Sequence, residues 1–263
     1  MTALRLSICV VLYESIETTK RFHLQLCDSL SEFSQVEVMY FDNSVSDELQ
    51  VWFSNQLSGC ISYTRDSRNL GFSFGNNNLI LQAQYDRILL LNPDVFGLTN
   101  SFWDRISAVD AHGIARFAKM LNEDGSFQDS VGEPSSLGRI FRSRRNYESM
   151  LQPTEVGMGI MAFMLADKSV FASVGLLDCS YPLYAEDMDW CFRAKRRGIR
   201  ILYDPQLVLT HIGGASAKDR WEDAESHRKK YEAEKIFIDK HYRGWEWVCM
   251  RVLNLVKIFI RGR

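Results

Sequence analysis

The first hundred residues alternate between short strand-like runs and longer segments with helical spacing, and this alternation constrains the fold most. Runs rich in apolar and β-branched side chains occupy residues 6–13, 36–41, 61–64 and 87–91. Segments with helical character lie between them at residues 18–33, 47–57 and 75–84. Because a strand–helix–strand repeat joins parallel strands, the sequence predicts an α/β fold with a mostly parallel sheet sandwiched by helices.

Composition narrows the classes of partner and compartment. The chain has 263 residues, with 31 basic and 33 acidic side chains and a formal net charge of −2, so we expect no nucleic-acid partner. Six scattered cysteines without a CxxC pair indicate a reducing compartment. No apolar run reaches the length of about 18 residues that a membrane span needs. The apolar run before Tyr13 and Glu14 has the character of a core strand and not of a signal peptide, which predicts a cytoplasmic protein.

Polar or glycine-bearing loops follow the four predicted strands, beginning at Tyr13, Asp42, Arg65 and Asn92. Parallel α/β sheets bind ligands beyond the carboxyl ends of their strands, so these loops are the predicted walls of a binding site. The third loop contains Gly71 and opens a helix, where backbone amides can face an anion. It matches neither the dinucleotide-binding GxGxxG pattern nor a P-loop, and its asparagines fit capping and turn roles equally well.

The fourth strand ends in Asn92 and Asp94, two oxygen-bearing side chains two residues apart. A buried strand delivers such a turn to a fixed place, where a carboxylate can meet a divalent cation and a diphosphate. Asn-Pro-Asp is also ordinary turn chemistry, so the local pattern leaves both interpretations open.

An acidic cluster, Glu186, Asp187 and Asp189, comes before the basic residues Arg193 to Arg197. Carboxylates this close repel one another unless they lie at a helix N-terminus or serve a ligand. In a structural interpretation the cluster starts a helix, and Asp189 pairs with Arg193 one turn later. In a catalytic interpretation one carboxylate is a general base held in a cleft. The two interpretations are compatible.

His211 follows an apolar strand and precedes Gly213 and Gly214. A lone histidine is most often a packing residue, whereas a glycine pair lets the backbone approach a phosphate. Both a packing role and a ligand role stay open for His211.

Two segments depart from the α/β pattern. Residues 122–153 form a predicted loop insert with a basic cluster of Arg139, Arg142, Arg144 and Arg145. Residues 245–263 interleave apolar and basic side chains, which fits either a helix lying on the inner leaflet of a membrane or a helix packed on the domain.

Taken in order, these motifs resemble those of family 2 glycosyltransferases, and within them the bacterial rhamnosyltransferase-like branch. The matching segments are residues 10–13, 42–44, 69–77, 91–94, 186–198 and 211–216. The resemblance implies a GT-A (Rossmann-like) fold in residues 1–217, with a nucleotide-sugar-binding half at 1–98 and an acceptor-binding half at 99–217. Residues 218–263 would form a C-terminal helical extension that associates with the membrane.

The resemblance also implies roles for individual residues. Asp187 would be the catalytic base, Glu186 and Trp190 would contact the acceptor, and Asp94 and His211 would hold Mg²⁺ or Mn²⁺. Asn92 stands where many relatives carry an aspartate, which removes one charge from that metal site, and Glu14 stands where asparagine is usual. Donor contacts are implied for Tyr13, Asp42, Asn69, Gly71, Asn77, Asn92 and Asp94.

The implied activity is inverting transfer of a sugar from a nucleotide-sugar donor to a glycan acceptor. L-Rhamnose from dTDP-rhamnose is the first expectation for the donor, with UDP- and GDP-sugars as alternatives. The acceptor would be linked to polyprenyl diphosphate, in the synthesis of a bacterial surface polysaccharide such as lipopolysaccharide O-antigen, capsule or cell wall. Such an acceptor places the protein peripherally on the inner face of the plasma membrane.

Two other functions compete with this one. The first is a non-catalytic sugar-nucleotide or polysaccharide-binding protein on the same scaffold. Retention of both Asp94 and Asp187 argues against it, because a binding protein has no need of a base. The second is a nucleotidyltransferase, which is disfavoured because its glycine-rich N-terminal loop is absent from the sequence.

Overall fold

The computed structural model describes residues 4–140, 145–213 and 223–261. The strands in these ranges are β1 (Leu6–Leu12), β2 (Val36–Asp42), β3 (Ile61–Arg65), β4 (Arg87–Leu91), β5 (Val95–Phe96), β6 (Ile114–Leu121), β7 (Val131–Gly132), β8 (Thr154–Glu155), β9 (Met158–Gly159), β10 (Phe163–Asp167) and β11 (Arg200–His211). The helices are α1 (Ile16–Ser29), α2 (Glu48–Phe53), α3 (Phe72–Gln82), α4 (Asn100–Ala108), α5 (Leu137–Ile140), α6 (Lys168–Val174), α7 (Glu186–Arg196), α8 (Asp223–His241) and α9 (Gly244–Arg261).

The main sheet has the strand order β3-β2-β1-β4-β10-β6-β11-β5, and β8 pairs with β11. β1 is parallel to β2 and β4, β2 to β3, and β6 to β11. β10 runs antiparallel between β4 and β6, and β5 and β8 run antiparallel to β11. The predicted α/β class and mostly parallel sheet are confirmed, with β10 as an antiparallel strand that the sequence pattern did not reveal.

The order of the strands creates a crevice at one edge of the sheet. After β1 the chain adds β2 and β3 on one side, and it then returns to place β4 on the other side of β1. Loops that leave such a switch point at the carboxyl ends of the strands diverge and leave room for a ligand. Tyr13 follows β1 and Asp94 follows β4, so both lie at this edge.

Two apolar cores cover the faces of the sheet. Leu6, Ile8 and Val10 of β1 join one core, and Cys9 between them joins the other. This alternation follows from the period-two geometry of a strand and explains why β1 is apolar almost throughout. A third, smaller core attaches α8 and α9 to α7 through Tyr181, Met188, Phe237, Ile238, Tyr242 and Met250.

One strand is longer than the sequence pattern indicates. Residues 199–203 and 207–209 predict two strands, but the structure joins them in β11, with a register shift between Asp204 and Val208. Pro205 lies in the shifted segment, consistent with the tolerance of bulges for proline. At the same point the buried Arg116 Nη1 donates to Asp204 Oδ2 at 2.7 Å. This bulge carries β11 onward to His211.

The insert at residues 122–153 contains only short regular elements among its described residues, namely β7 and α5. Of its predicted basic cluster, Arg142, Arg144 and the side chain of Arg139 lie outside the described residues, as do Gly214 and Ser216 of the matched segment 211–216. Within the described ranges, each helix is too short or too polar to cross a membrane.

Candidate active site

The loop before α3 is shaped by backbone conformation and by one asparagine. Asn69 and Gly71 have positive φ values of 51° and 88°, a region that glycine adopts without strain. Asn43 Nδ2 donates to the Gly71 carbonyl at 3.1 Å, and Asn43 Oδ1 accepts from the Leu70 N–H at 3.0 Å. Asn43 of the segment after β2 therefore fixes the loop that carries two of the predicted donor residues.

Asp42 at the end of β2 orders the same wall of the site. Its carboxylate is fully buried, and it accepts from the Ser44 N–H at 2.8 Å and from the Tyr63 hydroxyl at 2.5 Å. Arg65 Nε lies 3.9 Å away. The predicted direct contact between Asp42 and a nucleoside would require Tyr63 or Arg65 to move.

Glu14, the departure from the family pattern after β1, clamps the neighbouring loop. Its Oε1 accepts from the N–H groups of Val45 and Ser46 at 2.7 and 3.1 Å, and its Oε2 accepts from the Ser46 hydroxyl at 2.8 Å. Glu14 has a positive φ of 50°. The substitution thus ties the loops after β1 and β2 together, and it leaves the adjacent Tyr13 half-buried at the carboxyl end of β1.

The structure brings together Asp94 and His211, the two residues implied to hold a metal. Pairing of β5 with β11 sets Val95 opposite His211, and His211 Nε2 lies 3.3 Å from Asp94 Oδ1. Asp94 Oδ1 is buried and has no hydrogen-bond partner among the described residues. An unpartnered carboxylate oxygen facing an imidazole nitrogen fits a divalent cation. In the described part of the chain, no cluster of three or more histidine, cysteine or acidic side chains forms a fuller metal site.

Asn92 is part of the turn that delivers Asp94. Its N–H donates to the Ala162 carbonyl at 2.9 Å, and its carbonyl accepts from the Val95 N–H at 3.3 Å. The Asn-Pro-Asp segment therefore has the turn geometry that its local sequence favours, and it also places Asp94 against His211. The structure thus confirms the turn interpretation of this segment, and its metal interpretation stays a prediction.

The N-terminus of α7 is strained, and its N-cap residue, Ala185, has no side chain that could cap the helix. Tyr184 and Ala185 just before it have positive φ values of 67° and 64°, which are unfavourable for non-glycine residues. Strain of this kind clusters at functional sites. Asp187 Oδ1 accepts from the Met188 N–H at 2.7 Å and so occupies the open end of the helix.

Burial raises the pKa values of the first two carboxyls of α7. The pKa of Asp187 lies above its ordinary value of 3.8, although the hydrogen bond from the Met188 N–H lowers it. Burial, and then the charge of Asp187, raise the pKa of Glu186 above 4.5. Glu186 is 9% exposed, and its Oε2 has no hydrogen-bond partner among the described residues. A carboxylate that can accept a proton, beside a protonated carboxylic acid, can serve general-base chemistry.

Asp189 has a different environment and a different role. Its fully buried carboxylate accepts from Arg193 Nε at 2.8 Å, Lys240 Nζ at 2.7 Å and His241 Nε2 at 2.6 Å. Burial alone would raise the pKa of Asp189, but the hydrogen bonds from His241, Lys240 and Arg193 outweigh it and hold the pKa well below 3.8. The predicted pair with Arg193 is confirmed. The two partners on α8 were missed, because no local spacing links them to α7.

One predicted contact needs correction. Trp190 is fully buried, packs on Phe171 and donates its indole N–H to the Gly175 carbonyl at 2.9 Å, so its side chain belongs to the core and does not face an acceptor.

Asn77 has a structural role beside its predicted donor contact. Its side-chain amide exchanges hydrogen bonds with the backbone of Leu177, at 2.8 and 2.9 Å. These bonds hold the segment before α7, and the donor contact of Asn77 stays a prediction.

The segment before α7 also lies close to the loop that carries Gly71. A side-chain carbon added at Gly71 would lie 3.9 Å from the Pro182 carbonyl oxygen, in the loop that leads to α7. The strand edge that carries Asp94 also carries the loop of Gly71, because both follow the carboxyl ends of parallel strands. The start of α7 therefore lies at the same edge of the sheet as the Asp94–His211 pair.

Comparison with known sequences tests the predicted family resemblance. No protein-family model matches the chain. An alignment of 211 positions, which covers 74% of this chain, is 31% identical to the low-salt glycan biosynthesis hexosyltransferase Agl10 of Haloferax volcanii. The resemblance to family 2 glycosyltransferases is confirmed. A second alignment of 160 positions, which covers 53% of this chain, is 28% identical to the rhamnosyltransferase WbbL of Escherichia coli K12.

The chain spans less than two thirds of the length of those relatives, 63% of Agl10 and 61% of WbbL. Solved structures agree on the fold. The TarS fragment 1–349 of S. aureus, in complex with UDP-GlcNAc, is 16% identical with a TM-score of 0.58, covering 99% of this chain and 74% of that one. The mannosyltransferase PcManGT of Pyrobaculum calidifontis, in complex with GDP-Man and Mn²⁺, is 11% identical with a TM-score of 0.59, covering 98% and 76%. The predicted GT-A fold is confirmed.

Proposed function

We propose that this chain is an inverting glycosyltransferase that moves a sugar from a nucleotide-sugar donor to a glycan acceptor. One observation carries the proposal: the start of α7, with the half-buried Asp187, lies at the same sheet edge as the Asp94–His211 pair. A base and a cation-binding pair at one edge are what a displacement at an anomeric carbon requires. Residues 1–98 would bind the donor, 99–217 the acceptor, and 218–263 would form the helical extension.

In the proposed reaction Asp187 accepts the proton of the acceptor hydroxyl as that oxygen forms its bond to the anomeric carbon. The bond from that carbon to the diphosphate oxygen breaks, and the nucleoside diphosphate leaves with the electron pair. A single displacement inverts the anomeric configuration. Asp94 and His211 would hold Mg²⁺ or Mn²⁺, which when bound offsets the charge of the diphosphate.

Glu186 would contact the acceptor as a neutral acid. Its raised pKa keeps the carboxyl protonated in a range where an ordinary glutamate is ionised. A protonated carboxyl can donate a hydrogen bond to a sugar hydroxyl and adds no second charge beside Asp187. Tyr13, Asn69, Gly71 and Asn92 keep their proposed roles at the donor, since all lie at the switch-point edge.

For the donor, we propose dTDP-rhamnose first, supported by the relationship to the rhamnosyltransferase WbbL. The related hexosyltransferase Agl10 and the complexes of TarS with UDP-GlcNAc and PcManGT with GDP-Man support UDP- and GDP-sugars as alternatives. A polyprenyl-diphosphate-linked acceptor in bacterial surface polysaccharide synthesis is proposed on the resemblance alone.

Peripheral membrane contact through α9 is also proposed. Met250 and Asn254 of α9 are buried against the rest of the chain, whereas Trp245, Val252 and Leu255 are 76%, 53% and 57% exposed. Helix packing and an exposed apolar side therefore coexist, and such a side suits an interface of lipid and water.

A nucleotide screen tests the proposed function. We expect one of dTDP, UDP and GDP to raise the melting temperature of the protein more with Mn²⁺ than without it, because ligand binding stabilises the folded state. The Asp94→Ala variant should lose the Mn²⁺-dependent part of that shift. An equal shift with and without Mn²⁺ in both proteins would remove the metal from the proposal, and no shift with any nucleotide would contradict the donor class.

A further inference from the structure

His211 stands at the end of a hydrogen-bond chain that begins in the loop between β6 and β7. The Ser126 hydroxyl donates to Asp124 Oδ1 at 2.6 Å, and Asn122 Nδ2 donates to Ser126 Oγ at 2.9 Å. Gln128 Nε2 donates to Asn122 Oδ1 at 3.0 Å. Gln128 Oε1 in turn lies 2.7 Å from His211 Nδ1.

Each link of this chain fixes the direction of the next. The hydrogen bond from the Ser126 hydroxyl lowers the pKa of Asp124, so that carboxylate is ionised and can only accept. The single hydroxyl proton of Ser126 therefore points to Asp124, and the oxygen of Ser126 accepts from Asn122. This orients the Asn122 amide with its oxygen toward Gln128.

The Gln128 amide has a second reason for its orientation. Its Nε2 also donates to the His211 carbonyl at 3.1 Å. Reversing the amide would place one oxygen against two other oxygens, so the assignment follows from the network and does not depend on seeing hydrogens. Gln128 Oε1 faces the imidazole, and His211 Nδ1 has to be the donor.

This arrangement decides what the other ring nitrogen presents to Asp94. In a neutral imidazole with hydrogen on Nδ1, Nε2 carries a lone pair. That lone pair would face Asp94 Oδ1 at 3.3 Å. Two electron-rich atoms at this distance favour a cation shared between them. The absence of a side chain at Gly213 leaves space for the Gln128 amide, because a Cβ atom at position 213 would lie only 3.3 Å from Gln128 Nε2.

We propose that Gln128 is a positioning residue that holds His211 as its Nδ1–H tautomer, with Nε2 directed at Asp94, so that the pair is ready to bind a divalent cation. The proposal rests on the proposed function, which gives Asp94 and His211 their metal role. Hydrogen-bond partners of metal-binding histidines typically change metal affinity by about 10–100-fold. Gln128 lies in the insert, 83 residues from His211, and belongs to none of the matched motifs.

The test is a Gln128→Leu substitution read by two methods. The first is ¹⁵N NMR of the imidazoles in metal-free protein, with the His211 signals assigned from a His211→Ala spectrum. The wild type should carry hydrogen on Nδ1, and Gln128→Leu should shift the major tautomer to hydrogen on Nε2. The second is titration with Mn²⁺ alone, followed by the loss of its free EPR signal, where we expect about tenfold weaker binding.

One further variant keeps the result specific. Gln82→Leu removes a surface amide that donates to Asn78 Oδ1 and should change neither measurement. A wild-type His211 without hydrogen on Nδ1 would overturn the proposal even if Gln128→Leu does not fold. A Gln128→Leu protein with unchanged tautomer and unchanged Mn²⁺ affinity would overturn it as well.

The proposed function can fail separately. Unchanged Mn²⁺ binding in Asp94→Ala and His211→Ala would remove the metal site, whereas the tautomer of His211 would still report on Gln128. If those two variants lose Mn²⁺ binding and Gln128→Leu does not, the metal site stands and only the positioning role is overturned.

Discussion

At the residue scale, three carboxyls within four positions acquire different properties from their surroundings. Glu186 and Asp187 have raised pKa values because they are buried with few compensating donors. Asp189 is also buried, but hydrogen bonds from His241, Lys240 and Arg193 hold its pKa down. The same functional group thus gives a protonated acid at Glu186, the proposed base at Asp187 and a structural anion at Asp189, as environments that separate pKa values generally allow.

The raised pKa of Glu186 predicts that Glu186→Gln is more stable than the wild type at neutral pH. In the unfolded chain Glu186 ionises near its ordinary pKa of 4.5, whereas in the folded protein it stays protonated to higher pH. The folded state therefore binds the extra proton, and the wild type loses stability as pH rises above 4.5. A gain on the order of 1 kcal/mol would raise the melting temperature by about 2–4 °C.

Melting temperatures of the wild type and Glu186→Gln, measured between about pH 4 and 8, test this prediction. The difference between the two proteins should disappear toward pH 4, where Glu186 is protonated in the unfolded chain as well. Glu48→Gln, at an exposed position in α2, is the matched control and should show no such trend. A Glu186→Gln protein less stable than the wild type at neutral pH would contradict the buried neutral acid.

At the element scale, α8 is tied to α7 by Asp189. Lys240 and His241, at the C-terminal end of α8, both contact that carboxylate, and Phe237 and Tyr242 pack in the core shared with α7. The helical extension therefore braces α7, whose first turn carries Asp187. Weakening the contact between Asp189 and α8 should therefore lower the stability of the protein and also disturb the position of Asp187.

Asp189→Asn should destabilise the protein by about 3–5 kcal/mol, because it removes the anion from a buried cluster and breaks the ion pair with Arg193. Urea unfolding measures this loss. Asp178→Asn is the control, since Asp178 also pairs with Lys240 but is partly exposed, and its loss should stay within about 1 kcal/mol. Equal effects of the two substitutions would contradict the role of Asp189 as the organising charge.

Sequence patterns predicted the elements better than the contacts between them. Spacing within a helix revealed the Asp189–Arg193 pair, because residues four apart share a face. The bonds of Asp189 to Lys240 and of His211 to Gln128 join distant parts of the chain, and no periodicity encodes them. Trp190 was misassigned for a related reason: its neighbours are acidic, and only the packing shows that its own side chain points into the core.

At the scale of the whole molecule, the order of strands could be predicted only in part. Alternating strands and helices predicted the parallel half from β1 to β4 and the edge at which Asp94 lies. The antiparallel strand β10 and the bulge that makes β11 one strand depend on pairing between remote segments. Asp42 and Asn77 lie where the motifs predicted them, yet their hydrogen bonds serve the architecture of the site.

The exposed side of α9 leads to a prediction for the whole molecule. Replacing Trp245, Val252 and Leu255 by serine should lower cosedimentation with liposomes, because exposed apolar area on a helix drives interfacial binding. The control replaces three exposed apolar residues elsewhere, Leu24, Val51 and Leu151, and should bind as the wild type does. Equal partition of both triple variants and the wild type would argue against membrane contact through α9.

Turnover by Asp187→Asn tests the central claim most directly. With the donor that the nucleotide screen identifies, release of nucleoside diphosphate would be measured for the wild type, Asp187→Asn and the surface control Asp104→Asn, alongside the donor dissociation constant of each. We predict that Asp187→Asn lowers turnover by about 10²–10⁴-fold while donor affinity is retained, because only the proton acceptor is lost, and that Asp104→Asn matches the wild type. Wild-type turnover by Asp187→Asn, or no turnover by the wild type despite donor binding, would contradict the account.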